Sequence, residues 1–149
     1  MRRYQFTLDG VLRLRIQQTE AAEAALAALY RELDGLQAQQ AALRNDLERT
    51  QADVLHSGGP LTGEDLVRLE NYRRWVTTQQ RRHAQSAADC ISRIQEQNRR
   101  VLEAKRNQQL LEKLRDRSRQ RWQDEAAREE QALAEEAYLS QWAQKMESR

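Results

Sequence analysis

Residues 57–63, which read Ser-Gly-Gly-Pro-Leu-Thr-Gly, decide how this chain folds. They hold the single proline of the chain and three of its five glycines. Glycine and proline are the residues that most strongly interrupt helices, and no comparable cluster occurs elsewhere in the 149 residues. The sequence therefore predicts one turn, over residues 57–61, between two long helical segments.

The composition on both sides of this turn is that of a long helical coil. Charged residues make up 32% of the chain, the mean hydropathy is −0.99, and there is one phenylalanine. A dense globular core would need more aromatic and β-branched side chains, whereas Ala, Leu, Gln, Arg and Glu dominate here. Such a composition is typical of a coiled coil or of disorder, and leucines at heptad spacing favour the coiled coil.

The ends of the two helices follow from local signals. Thr62 offers a capping hydroxyl, and Glu64 and Asp65 would lie at the positive end of a helix dipole. We expect a second helix over about 62–146 and a first helix over about 8–56, with the Asp9-Gly10 pair weakening its opening turn. The whole chain, 1–149, is predicted to form a single coiled-coil domain.

Each helix carries an apolar seam with alternating spacings of three and four residues. In the first helix the seam is Leu26, Leu29, Leu33, Leu36, Gln40, Leu43, Leu47, Thr50 and Val54. Extended backward it meets Arg15, Thr19 and Ala22, while Leu12 and Ile16 lie out of phase, which predicts a stutter with local unwinding. In the second helix the seam is more polar: Leu66, Leu69, Arg73, Val76, Gln80, His83, Ala87, Cys90, Ile94, Gln97, Val101, Ala104, Gln108 and Leu111.

A short connection between two long amphipathic helices makes them antiparallel neighbours. The sequence thus predicts an all-α fold, an antiparallel two-helix coiled-coil hairpin in which residue i faces roughly residue 117 − i. The N-terminal end of the first helix then lies opposite about residue 109 of the second helix. The longer second helix overhangs at the terminal end, from Leu110 onward, without a partner in this chain.

Charge is segregated along the second helix, although the net charge is only +2. Residues 99–121, which we call the basic collar, hold nine Lys or Arg and three acidic residues; residues 124–136 hold six acidic residues and one Arg. A solvated helix with i,i+4 ion pairs would explain many of these charges. A nucleic-acid partner is disfavoured because the acidic stretch directly continues the collar and would repel phosphates.

No pattern points to catalysis, a metal or a cofactor. The sequence holds no Gly-rich phosphate loop and no nucleophile beside a base, and Cys90, His56 and His83 are isolated. We expect a non-enzymatic protein without cofactor, and the lone cysteine favours the cytosol. The first residues contain no apolar run that could act as a signal peptide or cross a bilayer.

Tyr72 and Trp75 are candidates for a functional role. Trp75 lies two positions beyond the seam residue Arg73, hence on a flank of the hairpin. It either packs against neighbouring side chains of the hairpin or is an exposed aromatic residue of the kind that anchors protein interfaces.

The chain resembles the flagellar export protein FliJ family, the stalk component of type III secretion machinery. The resemblance rests on Phe6-x-Leu8-x-x-Val11-Leu12-x-x-Arg15, on the single turn, on the aromatic pair after it, and on residues 111–117 followed by the acidic stretch. It implies an antiparallel coiled coil similar to the central stalk of rotary ATPases.

The resemblance also implies partners and a location. The partners are the export ATPase hexamer (FliI-like), the cytoplasmic region of the export gate membrane protein (FlhA-like) and export chaperones, at the cytoplasmic face of the inner membrane. ATPase contact is expected of six arginines: Arg13, Arg15, Arg115, Arg117, Arg119 and Arg121. Gate contact is expected of Tyr72, Trp75 and Gln79, although Gln79 and Arg82 stand where smaller or apolar residues would match better. An injectisome stalk, or a generic coiled-coil scaffold or homodimerising protein, is the alternative.

Overall fold

A computed structural model describes residues 2–149 as two long helices joined by one turn. Helix α1 spans Asp9–Leu55 and helix α2 spans Gly63–Glu147. They pack against each other as an antiparallel hairpin in which α2 is the longer, so the predicted all-α fold is confirmed. Over the described part of the chain, neither helix has the long apolar stretch that a membrane crossing requires.

The turn is built as its glycines and threonine predict. Gly58 has a φ of 70°, a conformation that side chains with a Cβ rarely adopt. Thr62 Oγ1 accepts the Asp65 N–H at 3.2 Å, and the Asp65 carboxylate accepts the Thr62 N–H at 3.3 Å. This reciprocal capping box satisfies two backbone donors and starts α2.

Residues 20–103 form one compact unit, which contains the turn. Its core holds four buried α2 side chains: Val76, Cys90, Ile94 and Val101. The Cys90 thiol donates to the Leu29 carbonyl at 3.3 Å, and Gln97 Nε2 donates to the Ala22 carbonyl at 3.0 Å. These bonds reach from α2 to backbone oxygens of α1, so they fix which turns of the two helices lie side by side.

The register differs slightly from the expected one. The residue numbers of the pairs Tyr72–Asp46, Cys90–Leu29 and Gln97–Ala22 add to 118 or 119, where 117 was expected. The expected turn, residues 57–61, and the observed connection between Leu55 and Gly63 are both centred on Gly59, so paired numbers near the turn add to 118, one more than the rough value of the prediction.

The predicted α1 seam is the inward stripe of this unit from Leu26 to Val54, since every seam position there is at least half-buried. The α2 seam agrees with the prediction from Val76 onward. Near the turn the prediction is wrong: Leu66 and Arg73 are exposed, and Asp65 and Tyr72 take the half-buried positions. The capping box holds Asp65 against the start of the helix and thereby sets the rotation of its first turns.

Residues 2–19 and 104–149 form a second compact unit. Leu12 and Thr19 are buried, and the Thr19 hydroxyl donates to the Arg15 carbonyl at 3.0 Å within the same helix. The expected rotation of the stripe is absent, because Leu12, Arg15 and Thr19 keep the spacing of three and four and are all at least half-buried. The stutter at this end of α1 was therefore wrongly predicted.

The N-terminal segment before α1 extends the packing of this unit along α2. Residues 2–6 have no regular secondary structure, and half-buried α2 positions continue through Ser118, Trp122 and Ala126. Extended chain covers about 3.3 Å per residue and a helix about 1.5 Å. Seven residues before Asp9 can therefore reach at most about fifteen positions beyond residue 110. The exposed overhang begins at residue 127 rather than at Leu110, which corrects the expectation.

Candidate functional site

In the unit of residues 20–103, the first candidate surface is centred on Trp75. Its side chain is 51% exposed, and its ring stacks on that of Tyr72 with centroids 6.0 Å apart and planes 21° apart. The stacking fixes the orientation of the indole without burying it. Trp75 therefore lies on the flank of the hairpin, where an exposed aromatic can contact another protein.

A shallow groove of about 550 Å³ lies beside this indole, and we call it the Trp75 groove. Both helices form its walls, through Gln39, Ala42, Leu43, Asn45, Asp46, Arg49, Trp75, Gln79 and His83. The Tyr72 hydroxyl donates to the Asp46 carboxylate at 3.3 Å and ties the two walls together. The structure thus brings Tyr72, Trp75 and Gln79 to one surface, whereas Arg82 does not line the groove.

The α1 wall of this groove was missed by the sequence prediction. Ala42 and Asp46 carry no distinctive motif, and only the register of the hairpin sets them opposite residues 72–79. The lining combines the apolar side chains of Ala42, Leu43 and Trp75 with charged groups, a combination that suits an apolar side chain flanked by polar groups.

In the unit of residues 2–19 and 104–149, the second candidate surface lies where the N-terminal segment meets α2. The Tyr4 hydroxyl donates to the Arg115 carbonyl at 3.1 Å, and Trp122 Nε1 donates to the Arg2 carbonyl at 3.1 Å. The Tyr4 and Trp122 rings meet at a centroid distance of 5.8 Å. Two hydrogen bonds and one aromatic contact therefore fasten the segment to α2.

A cleft of about 480 Å³ opens beside this fastening, and we call it the terminal cleft. Its lining combines residues 4–8 with Leu114, Arg117, Ser118, Arg121, Trp122 and Glu125. Arg117 and Arg121 are one turn apart on α2 and both exposed. The cleft presents two guanidinium groups beside aromatic and aliphatic surface, which suits a partner with acidic and apolar groups.

The other predicted ATPase-contact arginines are not in this cleft. Arg13 pairs with Asp9 at 3.0 Å, and Arg15 Nη1 donates to Gln18 at 3.1 Å. Arg115 lies half-buried, with its guanidinium 3.8 Å from the Asp116 carboxylate. Arg119 is exposed, and its position two residues from Arg117 and from Arg121 turns it to the opposite side of the helix.

The beginning of the basic collar, in the unit of residues 20–103, is neutralised by its neighbours. Glu96 accepts from Arg99 at 2.8 Å and lies 3.7 Å from Arg100. Hydrogen bonding and charge attraction from Arg99 lower the pKa of Glu96, and the same carboxylate raises the pKa of Arg99. These exposed pairs contribute little to stability. They do reduce the positive charge that this part of α2 presents to a partner.

Tyr4 and Trp122 were also missed by the sequence prediction, since they lie at opposite ends of the chain. Aromatic residues are conspicuous in a chain with 5% aromatic content. The pairing of these two, however, depends on how far the N-terminal segment reaches along α2. Within residues 2–149, no three His, Cys, Asp or Glu side chains come together as a metal site would require.

Comparison with known proteins identifies a family. The family described as Flagellar FliJ protein matches residues 4–147, which is nearly the whole chain. No curated protein matches, and no solved structure matches.

Proposed function

Because the chain belongs to the flagellar FliJ protein family, a non-enzymatic component of the flagellar export apparatus, we propose that it is the stalk and coupling component of that apparatus. In this role the terminal end contacts the export ATPase hexamer, and the Trp75 groove contacts the export gate. The protein acts in the cytoplasm, peripherally at the cytoplasmic face of the inner membrane. Export chaperones are further partners that the family resemblance implies.

The observation that supports ATPase contact most strongly is the terminal cleft. Arg117 and Arg121 stand exposed beside an N-terminal segment that Tyr4 and Trp122 hold in place. Guanidinium groups recognise carboxylates through paired, charge-assisted hydrogen bonds. An ATPase ring whose pore presents acidic side chains would therefore bind this end of the hairpin.

Gate contact is supported by the exposed indole of Trp75 and by the groove beside it. Aromatic side chains that are pre-oriented and half-exposed are frequent centres of binding energy in protein interfaces. The two candidate surfaces belong to different units of the chain. One protein can therefore contact two parts of the export apparatus through separate residues, which is the requirement for coupling them.

The test is stimulation of the export ATPase by the purified full-length chain. We expect Arg117→Glu, Arg119→Glu and Arg121→Glu together, all three exposed, to abolish stimulation while leaving the helical circular dichroism signal intact. Exposed charges on a helix can be reversed without unfolding it, and the effect of the wild-type protein should weaken with salt because exposed charges are screened.

A matched control reverses three exposed arginines outside the collar: Arg31→Glu, Arg44→Glu and Arg81→Glu. This variant carries the same change in net charge and should stimulate like the wild type. Full stimulation by the collar variant, or equal loss in the control, would refute ATPase contact through these arginines.

A further inference from the structure

A second stripe of exposed residues runs along α2 next to the side that packs on the N-terminal segment, and three of its members, Leu114, Arg117 and Arg121, also line the terminal cleft. Its spacing alternates between four and three, as in the seam of a coiled coil. We call it the α2 outer stripe: Leu110, Leu114, Arg117, Arg121, Asp124, Arg128, Gln131, Glu135, Tyr138 and Trp142. All ten side chains are exposed. Each of the half-buried positions 111, 115, 118 and 122 follows one stripe residue directly, so the stripe lies about 100° around the helix from the packed side.

The stripe is apolar at both ends and charged between them. Leu110 is 56% exposed and Leu114 is 47% exposed at one end; Tyr138 is 69% exposed and Trp142 is 53% exposed at the other. The half nearer Leu110 contains Arg117 and Arg121, and the half nearer Trp142 contains Glu135. Exposed apolar residues repeated at seam spacing on a polar helix indicate a surface that another helix covers.

The order of residue types makes the stripe complementary to itself in the antiparallel direction. When residue i faces residue 252 − i of a second copy, every stripe residue faces another stripe residue. The five pairs are Leu110 with Trp142, Leu114 with Tyr138, Arg117 with Glu135, Arg121 with Gln131, and Asp124 with Arg128. Two pairs are apolar, two join opposite charges, and one joins a guanidinium to an amide.

The parallel arrangement of two copies is unfavourable by the same reasoning. It would set Arg117 against Arg117 and Glu135 against Glu135, and like charges in a seam repel. Antiparallel pairing forms each contact twice about a two-fold axis, as in an isologous dimer.

We propose that the free protein forms a two-fold symmetric dimer through the α2 outer stripe, with the α2 helices of the two copies antiparallel and residue 126 of each at the axis. The occupant of this exposed stripe is thus a second copy of the chain. The seam has four apolar side chains per copy and a charged centre, so the dimer is weak and dissociates on dilution. Dimerisation covers Arg117 and Arg121, so the terminal cleft is closed to other partners in the dimer.

The first measurement is sedimentation velocity of the full-length chain over a concentration series. We expect a monomer–dimer equilibrium that shifts toward monomer as salt rises, since the central pairs are screened. This readout does not involve the ATPase, so its outcome is independent of the proposed function.

Charge-reversal variants test the register. Arg117→Glu and Glu135→Arg should each raise the dimer Kd by about tenfold or more, since each places like charges opposite one another. The double variant restores both pairs with reversed polarity and should recover most of the affinity. Arg119→Glu is the matched control, because Arg119 lies on the same helix outside the stripe and its reversal should leave the Kd unchanged.

Apolar variants test the ends of the stripe. Trp142→Ala should weaken the dimer, whereas Leu133→Ala should not, although Leu133 is 65% exposed on the same segment, because it lies outside the stripe. Circular dichroism of both variants checks that α2 stays helical.

Three results would overturn the proposal. One is a monomer at every concentration of the series. Another is a dimer that Arg119→Glu weakens as much as Arg117→Glu does. The third is a double charge-reversal variant that fails to regain affinity, which would show that Arg117 and Glu135 do not face each other.

Discussion

Trp75 shows how the exposure of one side chain separates a contact role from a packing role. Half of the indole is exposed, and its main intramolecular contact is the stacked ring of Tyr72. A buried tryptophan replaced by alanine would cost about 3 to 5 kcal/mol, whereas an aromatic pair contributes about 0.5 to 1.5 kcal/mol. The loss here should be smaller than that of a buried tryptophan, because half of the Trp75 side chain stays in contact with water.

We therefore expect Trp75→Ala to melt nearly like the wild type and to lose binding to the cytoplasmic region of the gate protein. Thermal denaturation and a binding titration measure the two properties separately. Tyr30→Ala is the control, since Tyr30 is 46% exposed in the same unit but does not line the Trp75 groove. A strongly lowered Tm in Trp75→Ala would instead assign the indole to packing, and Tyr72 would become the candidate contact.

The capping pair at the start of α2 predicts a pH effect. Hydrogen bonding to Thr62, first through its side chain and then through its backbone N–H, lowers the pKa of Asp65 below its usual 3.8. A carboxyl group with a lowered folded-state pKa stabilises the fold above its unfolded pKa and loses this contribution as the pH falls through the folded value. The contribution of the capping box is thus complete at neutral pH and fades below pH 3.8.

Thr62→Ala should accordingly lower the Tm slightly at neutral pH, and the difference from wild type should shrink as the pH falls below 3.8. Thr78→Ala is the control, because the Thr78 hydroxyl donates to the Arg74 carbonyl within its own helix and makes no cap. A difference in Tm that is the same at every pH would show that Asp65 is not coupled to Thr62.

At the scale of the elements, α1 depends on an unbroken backbone as much as on its leucines. Leu33 lies in the middle of the inward stripe and is half-buried. Proline at this position removes an intrahelical hydrogen bond and clashes with the preceding turn, at a cost of about 3 kcal/mol or more. We expect Leu33→Pro to collapse much of the helical circular dichroism signal.

Leu33→Ala separates the backbone effect from the loss of the side chain, because alanine keeps the hydrogen bond and has the highest helix propensity. It should lower the Tm while retaining the helical signal at low temperature. If Leu33→Pro gave an unchanged spectrum and Tm, the stripe from Leu26 to Val54 could not be the packing surface of α1.

The elements differ in how far the sequence determines them. The α1 seam could be predicted because its leucines repeat over many turns, and the α2 helix start could be predicted from Thr62 and the glycines. Leu66 and Arg73 were misassigned because the rotation of the first turns of α2 depends on the capping box and the turn. Hydrophobicity alone does not report that rotation.

The candidate sites were predictable to different degrees. Trp75 stands out in the sequence because large aromatic residues are rare in this chain. Ala42 and Asp46 depend on the register, and Tyr4 and Trp122 depend on an extended segment that packs far along α2. Contacts between residues distant in sequence have no local signal.

At the scale of the whole molecule, the expectation of a single domain stays a prediction. The chain contains two compact units, and both helices continue from one unit into the other. Since an uninterrupted helix transmits helical order between neighbouring turns, we expect the two units to unfold together.

Single-tryptophan variants can measure this. Trp75 lies in residues 20–103, and Trp122 lies in the other unit. In one variant Trp75 is kept and Trp122 and Trp142 are replaced by Phe; in the other, Trp122 is kept and Trp75 and Trp142 are replaced. The fluorescence transitions in denaturant should coincide with each other and with the loss of helical signal, as a two-state process requires. Separate midpoints for the two tryptophans would show two domains.

The thiol of Cys90 gives the molecule a built-in reporter of helix separation. It is the chain's single cysteine, its exposed fraction is 0%, and its Sγ is held 3.3 Å from the Leu29 carbonyl of α1. A thiol-reactive reagent can reach it only when α1 and α2 move apart locally. The rate of alkylation therefore measures the free energy of that opening, in the same way as amide hydrogen exchange does. Any partner that clamps the two helices together should slow this reaction, so occupancy of the Trp75 groove can be followed chemically in the unmodified protein.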